Sequence, residues 1–181
     1  MTHSRRDFLR WGIGAVSASF LPLPALAAAL TSPDSQRRLA FYNTHTGESV
    51  DVCYFDGENY RPEALKRIYH VLRDHRSNET RPVDLGLLDN LYALKARIRS
   101  DKPFHVISGY RSPATNAMLR KKSNGVARTS FHTLGKAIDI RLPGCNTRYL
   151  RDACISLRSG GVGYYKDSDF VHLDTGPTRK W

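Results

Sequence analysis

The chain of 181 residues carries a formal net charge of +11 at pH 7. Its length suits one domain after a short leader, and the absence of an internal repeat excludes a solenoid or another repeat array. A positive excess of this size favours an anionic partner, such as nucleic acid or a polyanionic surface.

The first element in the chain is a predicted twin-arginine export signal, residues 1–27. Arg5 and Arg6 precede an apolar run over residues 11–21, and residues 25–27 (Ala-Leu-Ala) provide a small-x-small cleavage site. The run is too short, and too rich in glycine and serine, for a spanning helix, and no other segment of the sequence could span a bilayer. We therefore expect a periplasmic protein, with or without cleavage of the leader, and this location excludes nucleic acid as a partner.

The part of the chain after the leader keeps a net charge of +9, because residues 1–27 contribute +2. It also holds three cysteines, an odd number for an oxidising compartment. None of them forms a C-x-x-C pair, which argues against a cysteine zinc site, and Cys53 fits a buried strand position. Cys145 and Cys154 could form a disulfide, and the sequence leaves that pairing open.

The first half of the chain predicts a hairpin followed by two helices, after a flexible entry over residues 28–36. Alternating apolar residues predict strands over Arg38–Tyr42 and Ser49–Phe55, joined by a turn-forming segment. Pro62 suits the first turn of a helix, and Asp84 is a good N-cap for a second one.

The second half predicts further strands and two more helices. A strand is expected over Pro103–Ser108, after which Ser112 caps a helix that begins at Pro113. The remaining predicted elements are a strand over Ile138–Leu142, a helix capped by Thr147, and strands over Val162–Tyr165 and Phe170–Asp174. Few helices against a largely antiparallel sheet make one α+β domain over residues 37–181.

Two of these strands carry a candidate metal site. In Ile138–Leu142 the apolar residues alternate with Asp139, and in Phe170–Asp174 they alternate with His172. Both polar side chains therefore point away from the apolar face of a half-buried strand. His132 lies seven residues before Asp139, across a loop that contains a glycine. Two imidazoles and a carboxylate suit Zn²⁺, and three protein ligands leave the fourth position for water, as in a catalytic site.

Three motifs give these residues a family context: S-x-H-x-x-G-x-A-x-D-I over residues 130–140, G-G-V-G-Y-Y over 160–165 and F-V-H-L-D-T-G over 170–176. Their combination resembles the zinc D-alanyl-D-alanine peptidase superfamily, which includes the VanX dipeptidases and the hedgehog fold. Within it, the chain resembles the YcbK-like murein endopeptidases over nearly its whole length after the leader. The resemblance implies a hedgehog-like or D,D-peptidase-like fold, Zn²⁺ as the cofactor, and the three candidate residues as its ligands.

A zinc peptidase also needs a carboxylate that accepts a proton from the attacking water. Asp169 lies three residues before His172, where the superfamily often has this carboxylate. Asp174 lies two residues after His172 and matches the H-L-D pattern of the YcbK-like group, so both stay open as the base. Arg111 matches an arginine that relatives have near the substrate, where a guanidinium can bind a stem-peptide carboxylate or stabilise an oxyanion.

These expectations combine into a zinc-dependent endopeptidase that hydrolyses peptide cross-links of peptidoglycan in the periplasm. The resemblance implies cross-links between two diaminopimelate residues, and the net charge of +9 fits attraction to the carboxylates of stem peptides. One alternative is a murein L,D- or D,D-carboxypeptidase, which needs a closed pocket for a terminal carboxylate. The other is an inactive, zinc-bearing cell-wall binding module. No feature of the sequence indicates an oligomeric state.

Overall fold

A computed structural model describes residues 35–123 and 125–181. The predicted export signal and most of the predicted entry segment lie outside these residues. The strands are β1 (Arg37–Asn43), β2 (Ser49–Phe55), β3 (Phe104–Ser108), β4 (Ala137–Arg141), β5 (Gly161–Tyr165), β6 (Phe170–Asp174) and β7 (Arg179–Lys180). The helices are α1 (Pro62–Val71), α2 (Leu85–Ile98), α3 (Pro113–Lys122) and α4 (Thr147–Leu157), with a 3-10 turn over Phe131–Leu134.

The seven strands of the described residues form one mixed sheet in the order β2-β1-β3-β4-β6-β5-β7. Four of the six neighbouring pairs are antiparallel, whereas β1 with β3 and β5 with β7 are parallel. Helices α1, α2 and α4 contribute side chains to the same buried apolar cluster as the strands. The predicted α+β fold class, with a largely antiparallel sheet, is confirmed.

The core holds the central strands in register. Ile138 and Ile140 of β4 and Val171 and Leu173 of β6 are all fully buried in the apolar cluster. Each such side chain stabilises the fold by roughly 1.5–3 kcal/mol when it leaves water. A slip of one residue would turn this set out of the core, so burial fixes which residues of β4 and β6 lie side by side.

Two of the three predicted helix caps are confirmed, and α1 begins at Pro62 without a side-chain cap. Asp84 caps α2 and Ser112 caps α3, each by accepting a hydrogen bond from a backbone N–H of the first turn. The predicted cap of α4 is wrong: Asn146 accepts that bond, and Thr147 is the first helical residue. The Thr147 hydroxyl donates to Asp169 instead. None of the helices within the described residues is long and apolar enough to cross a membrane.

Strand β4 differs from the half-buried strand that its alternation predicts. Its residues 137–140 are all buried, on both faces. One face lies on the apolar core, and the polar residues on the other face are covered by their neighbours in β6 and in the turn before β4. The candidate metal site is therefore built inside the molecule rather than on a solvated sheet surface.

The three cysteines are free thiols. The Cys145–Cys154 disulfide that the sequence leaves open is therefore not formed. Burial raises the pKa of the Cys154 thiol to about 12, which keeps it protonated and unreactive at neutral pH.

Candidate metal centre

Asp139 of β4 and His172 of β6 are direct partners across the sheet, and His132 reaches them from the 3-10 turn. Oδ1 of Asp139 lies 2.8 Å from Nδ1 of His172 and 3.3 Å from Nε2 of His132. The two imidazole nitrogens lie 3.2 Å apart. His132, Asp139 and His172 are only 4%, 7% and 8% exposed. The structure brings the three predicted ligands together, and the described residues contain no second cluster of this kind.

Backbone contacts orient the ring of His132. Ser130 caps the 3-10 turn, and its hydroxyl accepts a hydrogen bond from the backbone N–H of His132. Nδ1 of the ring lies 2.8 Å from the carbonyl oxygen of Gly109. Because a carbonyl can only accept, Nδ1 carries the proton and Nε2 presents its lone pair to Asp139 and His172.

A buried carboxylate orients the ring of His172. Oδ2 of Asp174 lies 2.9 Å from Nε2 of His172, and Arg179 binds the same carboxylate through two nitrogens at 2.6 and 3.1 Å. The backbone N–H groups of Gly161 and Gly176 donate to its Oδ1. Burial raises the pKa of Asp174, but these hydrogen bonds outweigh burial and bring the pKa below its usual range. Asp174 is therefore ionised and accepts the proton that Nε2 of His172 carries.

Three electron-rich atoms consequently face one another. With protons on the outer ring nitrogens, Nε2 of His132, Nδ1 of His172 and Oδ1 of Asp139 direct lone pairs into the same space. At separations of 2.8–3.3 Å, such an arrangement is repulsive unless a cation lies among the three atoms. Ligand atoms placed tetrahedrally around Zn²⁺ at ~2.0–2.1 Å lie about 3.3 Å from one another. The donor types, their spacing and the fixed outer nitrogens all fit a bound metal ion.

The same contacts shift the pKa values of Asp139 and His172. Burial raises the pKa of Asp139, but His132 and His172 beside it outweigh burial and lower the pKa overall. Burial lowers the pKa of His172, but hydrogen bonds to Asp139 and Asp174 outweigh burial and raise it. A proton and a metal ion therefore compete for Nδ1 of His172, and metal affinity falls as the pH is lowered.

The cluster lines a cavity of about 490 Å³, and Arg111 lines the same cavity. The terminal nitrogens of Arg111 donate to Asn116 at 3.3 Å and to Ser108 at 3.4 Å. Its Nε is buried and has no hydrogen-bond partner within residues 35–123 and 125–181. A buried donor without a partner costs about 1–3 kcal/mol. The positive charge of the guanidinium beside the cavity favours an anionic group there.

The two carboxylates that the sequence offers as bases lie in different places. Asp174 accepts a hydrogen bond from Nε2 of His172, whereas Nδ1 on the other side of that ring faces Asp139. Asp169, in the turn before β6, accepts a hydrogen bond from Thr147 at 2.7 Å and lies 3.8 Å from Arg141. Its side chain is 64% exposed and does not line the cavity. Among the described residues that line the cavity, Asp139 is the single carboxylate.

A protein-family model described as "Peptidoglycan L,D-endopeptidase MepK" matches residues 31–181. The chain belongs to this family. Proteins of Escherichia coli strain K12 and Shigella flexneri, both named peptidoglycan L,D-endopeptidase MepK, are 46% identical over 178 residues, which cover 98% of this chain and 97% of theirs. A Haemophilus influenzae protein named probable peptidoglycan L,D-endopeptidase MepK is 38% identical over 179 residues, covering 98% and 95%.

Membership of the MepK family confirms the resemblance that the three sequence motifs carry. It makes the chain a peptidase of the M15 class, a hydrolase that acts on peptidoglycan peptides. The possible metal site also agrees with this class, because the buried His-Asp-His cluster provides the ligand types that a metallopeptidase needs.

Arg179 of β7 and Trp181, the residue after that strand, complete the candidate site and were not singled out from the sequence, whereas Gly161 and Gly163 lie in the G-G-V-G-Y-Y motif. Arg179 binds the carboxylate behind His172, and Trp181 packs against the His172 ring with centroids 5.3 Å apart. Gly161 and Gly163 make room for them, because a Cβ at either glycine would lie 2.5–2.8 Å from these side chains. A signal was present in the sequence, since two alternating glycines within a strand indicate a close approach by another segment.

Proposed function

We propose that this chain is a zinc-dependent murein endopeptidase that hydrolyses peptide cross-links in peptidoglycan, in particular those between two diaminopimelate residues. The names of its relatives, which specify a peptidoglycan L,D-endopeptidase, support the type of bond. The observation that carries the metal dependence is the convergence of three potential ligand atoms in one buried cluster. Zn²⁺ is favoured over harder cations because two of the three donors are imidazoles.

In this proposal, His132 holds the ion through Nε2, Asp139 through Oδ1 and His172 through Nδ1. When bound there, Zn²⁺ supplies a Lewis acid that polarises a peptide carbonyl and lowers the pKa of a bound water toward ~7. Gly109 and Asp174 keep the two imidazoles in the orientation that this ligand set requires.

Arg111 is proposed to bind a carboxylate of the stem peptide or to stabilise the negative charge that develops on the carbonyl oxygen. Its guanidinium lines the cavity, and its terminal nitrogens make only long hydrogen bonds of 3.3 and 3.4 Å within the described residues. A charge-assisted hydrogen bond of this type contributes about 1.5–3 kcal/mol. Binding energy of this kind speeds the reaction to the extent that it is stronger in the transition state than in the bound substrate.

Asp169 and Asp174 are the two candidates for the group that accepts a proton from the attacking water. Asp174 is better suited to orient His172, because its oxygens are already engaged by that ring, by Arg179 and by two backbone N–H groups. Asp169 remains as the candidate base. It must break its contacts with Thr147 and Arg141 before its carboxylate can reach a substrate in the cavity.

We further propose that the protein works in the periplasm and leaves the cytoplasm by the twin-arginine pathway. The support comes from residues 1–27, which lie outside the described residues, and from the location of peptidoglycan. The net charge of +9 on the rest of the chain favours approach to the anionic stem peptides at low ionic strength.

Digestion of purified murein sacculi, with zinc or with a chelator, tests this function. We expect cross-linked dimers, especially those joined through two diaminopimelate residues, to disappear only with zinc, as read by mass spectrometry of the muropeptides. His172→Ala should contain no zinc and be inactive, and Asp167→Asn, in an exposed turn, is the matched control. Trimming of stem ends with intact dimers would indicate a carboxypeptidase, and binding without cleavage would indicate a binding module.

A further inference from the structure

Trp181 is held flat across β5 at the edge of the cavity. Its backbone bonds to both neighbours of Gly163: its N–H donates to Val162 at 3.2 Å, and its carbonyl accepts from Tyr164 at 3.0 Å. A Cβ on Gly163 would lie 2.7–2.8 Å from three atoms of the indole. The ring therefore rests directly on the strand backbone, in a position that only a glycine at 163 permits.

Three side chains fix the edges of this ring. The indole N–H donates to the hydroxyl of Tyr165 at 3.1 Å. The ring of His172 lies 5.3 Å from it, and the guanidinium of Arg179 lies 5.0 Å from its centroid. Trp181 nevertheless remains 52% exposed, so one part of the indole is packed and the rest faces the cavity.

A rigid, half-exposed aromatic ring beside the His-Asp-His cluster can bind an apolar group of a ligand. Tyr165, which is 37% exposed and stacks on Phe170, continues this surface along the same cavity. Support of His172 explains the packed part of Trp181 but not the exposed part. Large aromatic side chains lose little conformational entropy on binding, so a pre-positioned ring can bind an apolar group at low entropic cost.

The charges around the ring select the chemistry of the ligand. Arg179 already holds a guanidinium against Trp181, so a ligand ammonium at the same place would meet a like charge. Arg111 lines the same cavity, and the positive charge of its guanidinium favours a carboxylate there. The cavity therefore suits a group that has an uncharged carbon chain next to a carboxylate.

Resting on the proposed function, we propose that Trp181 and Tyr165 form a substrate-binding platform for the methylene chain of the diaminopimelate residue whose amine takes part in the cross-link. That residue carries a carboxylate next to the amide nitrogen, followed by a short run of methylenes. Its carboxylate would reach Arg111 while the methylenes cover the exposed indole. The cavity of about 490 Å³ lies within the ordinary range for small-ligand sites, ~300–1,000 Å³.

Indole fluorescence tests this platform without relying on hydrolysis. The chain has two tryptophans, Trp11 and Trp181, so the full-length protein with Trp11→Phe reports on Trp181 alone. Three stem tripeptides serve as probes, with diaminopimelate, lysine or alanine at the third position and any side-chain amine acetylated to mimic the cross-link amide. An N-acetylglucosamine oligosaccharide is the fourth probe. We expect a saturable emission change with diaminopimelate, a weaker affinity with lysine, which keeps the methylenes but lacks the carboxylate, and no change with alanine or the saccharide.

A displaced reporter is the matched control for the fluorescence experiment. In the variant Trp11→Phe/Trp181→Phe/Tyr149→Trp, the single indole occupies an exposed position on α4 that does not line the cavity. Its emission should not respond to the peptides. A change with the saccharide and none with the diaminopimelate peptide would overturn the proposal in favour of a glycan platform.

Kinetics on cross-linked dimers separate a binding role from mere support of His172. Trp181→Ala should raise KM about three- to ten-fold with little change in kcat or zinc content, Trp181→Phe should recover part of the loss, and Tyr149→Ala should behave as wild type. Lower kcat and lower zinc content at unchanged KM would overturn the platform. If murein is not cleaved at all, the proposed function fails, and the emission titration still decides the platform by itself.

Discussion

At the scale of single residues, the candidate metal centre depends on which nitrogen of each imidazole carries the proton. The carbonyl of Gly109 keeps the proton of His132 on Nδ1, and the carboxylate of Asp174 keeps the proton of His172 on Nε2. Asp174 can do so because Arg179 and two backbone N–H groups keep it ionised although it is fully buried. A buried carboxylate without such partners would take up a proton and stop acting as an acceptor.

Asp174→Asn should lower zinc affinity and kcat/KM about ten- to a hundred-fold, because an amide orients His172 less firmly and leaves Arg179 without its anion. Asp169→Asn is the matched comparison, since it removes an exposed carboxylate outside the cavity. It should keep its zinc but lose most of its turnover, because Asp169 is the proposed base and does not contact the three ligand residues. Elemental analysis, competition with a zinc chelator and steady-state kinetics measure the two effects.

The opposite pattern would reassign the roles of these carboxylates. Wild-type turnover in Asp169→Asn would exclude Asp169 as the base. Wild-type zinc affinity in Asp174→Asn would remove the orienting role of Asp174.

At the scale of elements, the segment that carries Arg111 is tied to the end of α1 by one buried carboxylate. Asp74 is 2% exposed and accepts hydrogen bonds from the backbone N–H groups of Ser112 and Arg76, each at 2.9 Å. Burial raises the pKa of Asp74, but hydrogen bonds from Thr115, Ser112 and Arg76 outweigh burial and bring the pKa below its usual range. The position of Arg111 in the cavity therefore depends on a residue far from it in sequence.

Asp74→Asn should lower the free energy of unfolding at neutral pH by about 1–3 kcal/mol, because it weakens several buried hydrogen bonds. The folded-state pKa of Asp74 lies below its unfolded value of ~3.9, so its contribution is present above that pH and is lost as the pH falls toward the folded value. The stability difference between wild type and variant should therefore shrink on acidification below about pH 4. Urea unfolding at a series of pH values measures it.

Asp167→Asn is the control for this experiment, because Asp167 is exposed in the turn between β5 and β6. Its unfolding should follow that of the wild type at every pH. A stability difference for Asp74→Asn that stays constant from neutral to acidic pH would show that the charge of Asp74 does not contribute, and that only its shape does.

At the scale of the whole molecule, the candidate metal centre is assembled only once the sheet has formed. His132, Asp139 and His172 come from the 3-10 turn, β4 and β6, and Arg179 of β7 supports them from the edge of the sheet. A site assembled from such distant segments suits export as a folded protein. This is the property that makes the twin-arginine pathway a sensible route for this chain.

Replacing Arg5 and Arg6 together with lysine should leave the precursor in the cytoplasm, because the pathway requires the arginine pair. Arg10→Lys, in the same leader but outside the pair, should be exported normally. Cell fractionation followed by immunoblotting measures both. An unchanged periplasmic yield with the two lysines would mean that the pair is incidental and that another route is used.

Much of the fold and the identity of the clustered residues follow from the sequence by itself. Alternation in β4 and β6, prolines at the starts of α1 and α3, and the caps Asp84 and Ser112 are local signals, and each depends on residues of one element. The motifs around His132, Asp139 and His172 are equally local, and these are the residues that the sheet register brings together. Such patterns can be read without knowledge of the sheet order.

Tertiary structure alone decided how these parts meet. The sequence left Asp169 and Asp174 equivalent, whereas the fold turns one outward toward α4 and buries the other behind His172. Arg179 and Trp181 reach the site because β7 pairs with β5, and no periodicity within a strand encodes which strand lies next to it. Asn146 caps α4 for a similar reason, because the Thr147 hydroxyl donates to Asp169 in the turn before β6. Contacts between elements depend on the packing of the whole chain, and that is why only the folded protein specifies them.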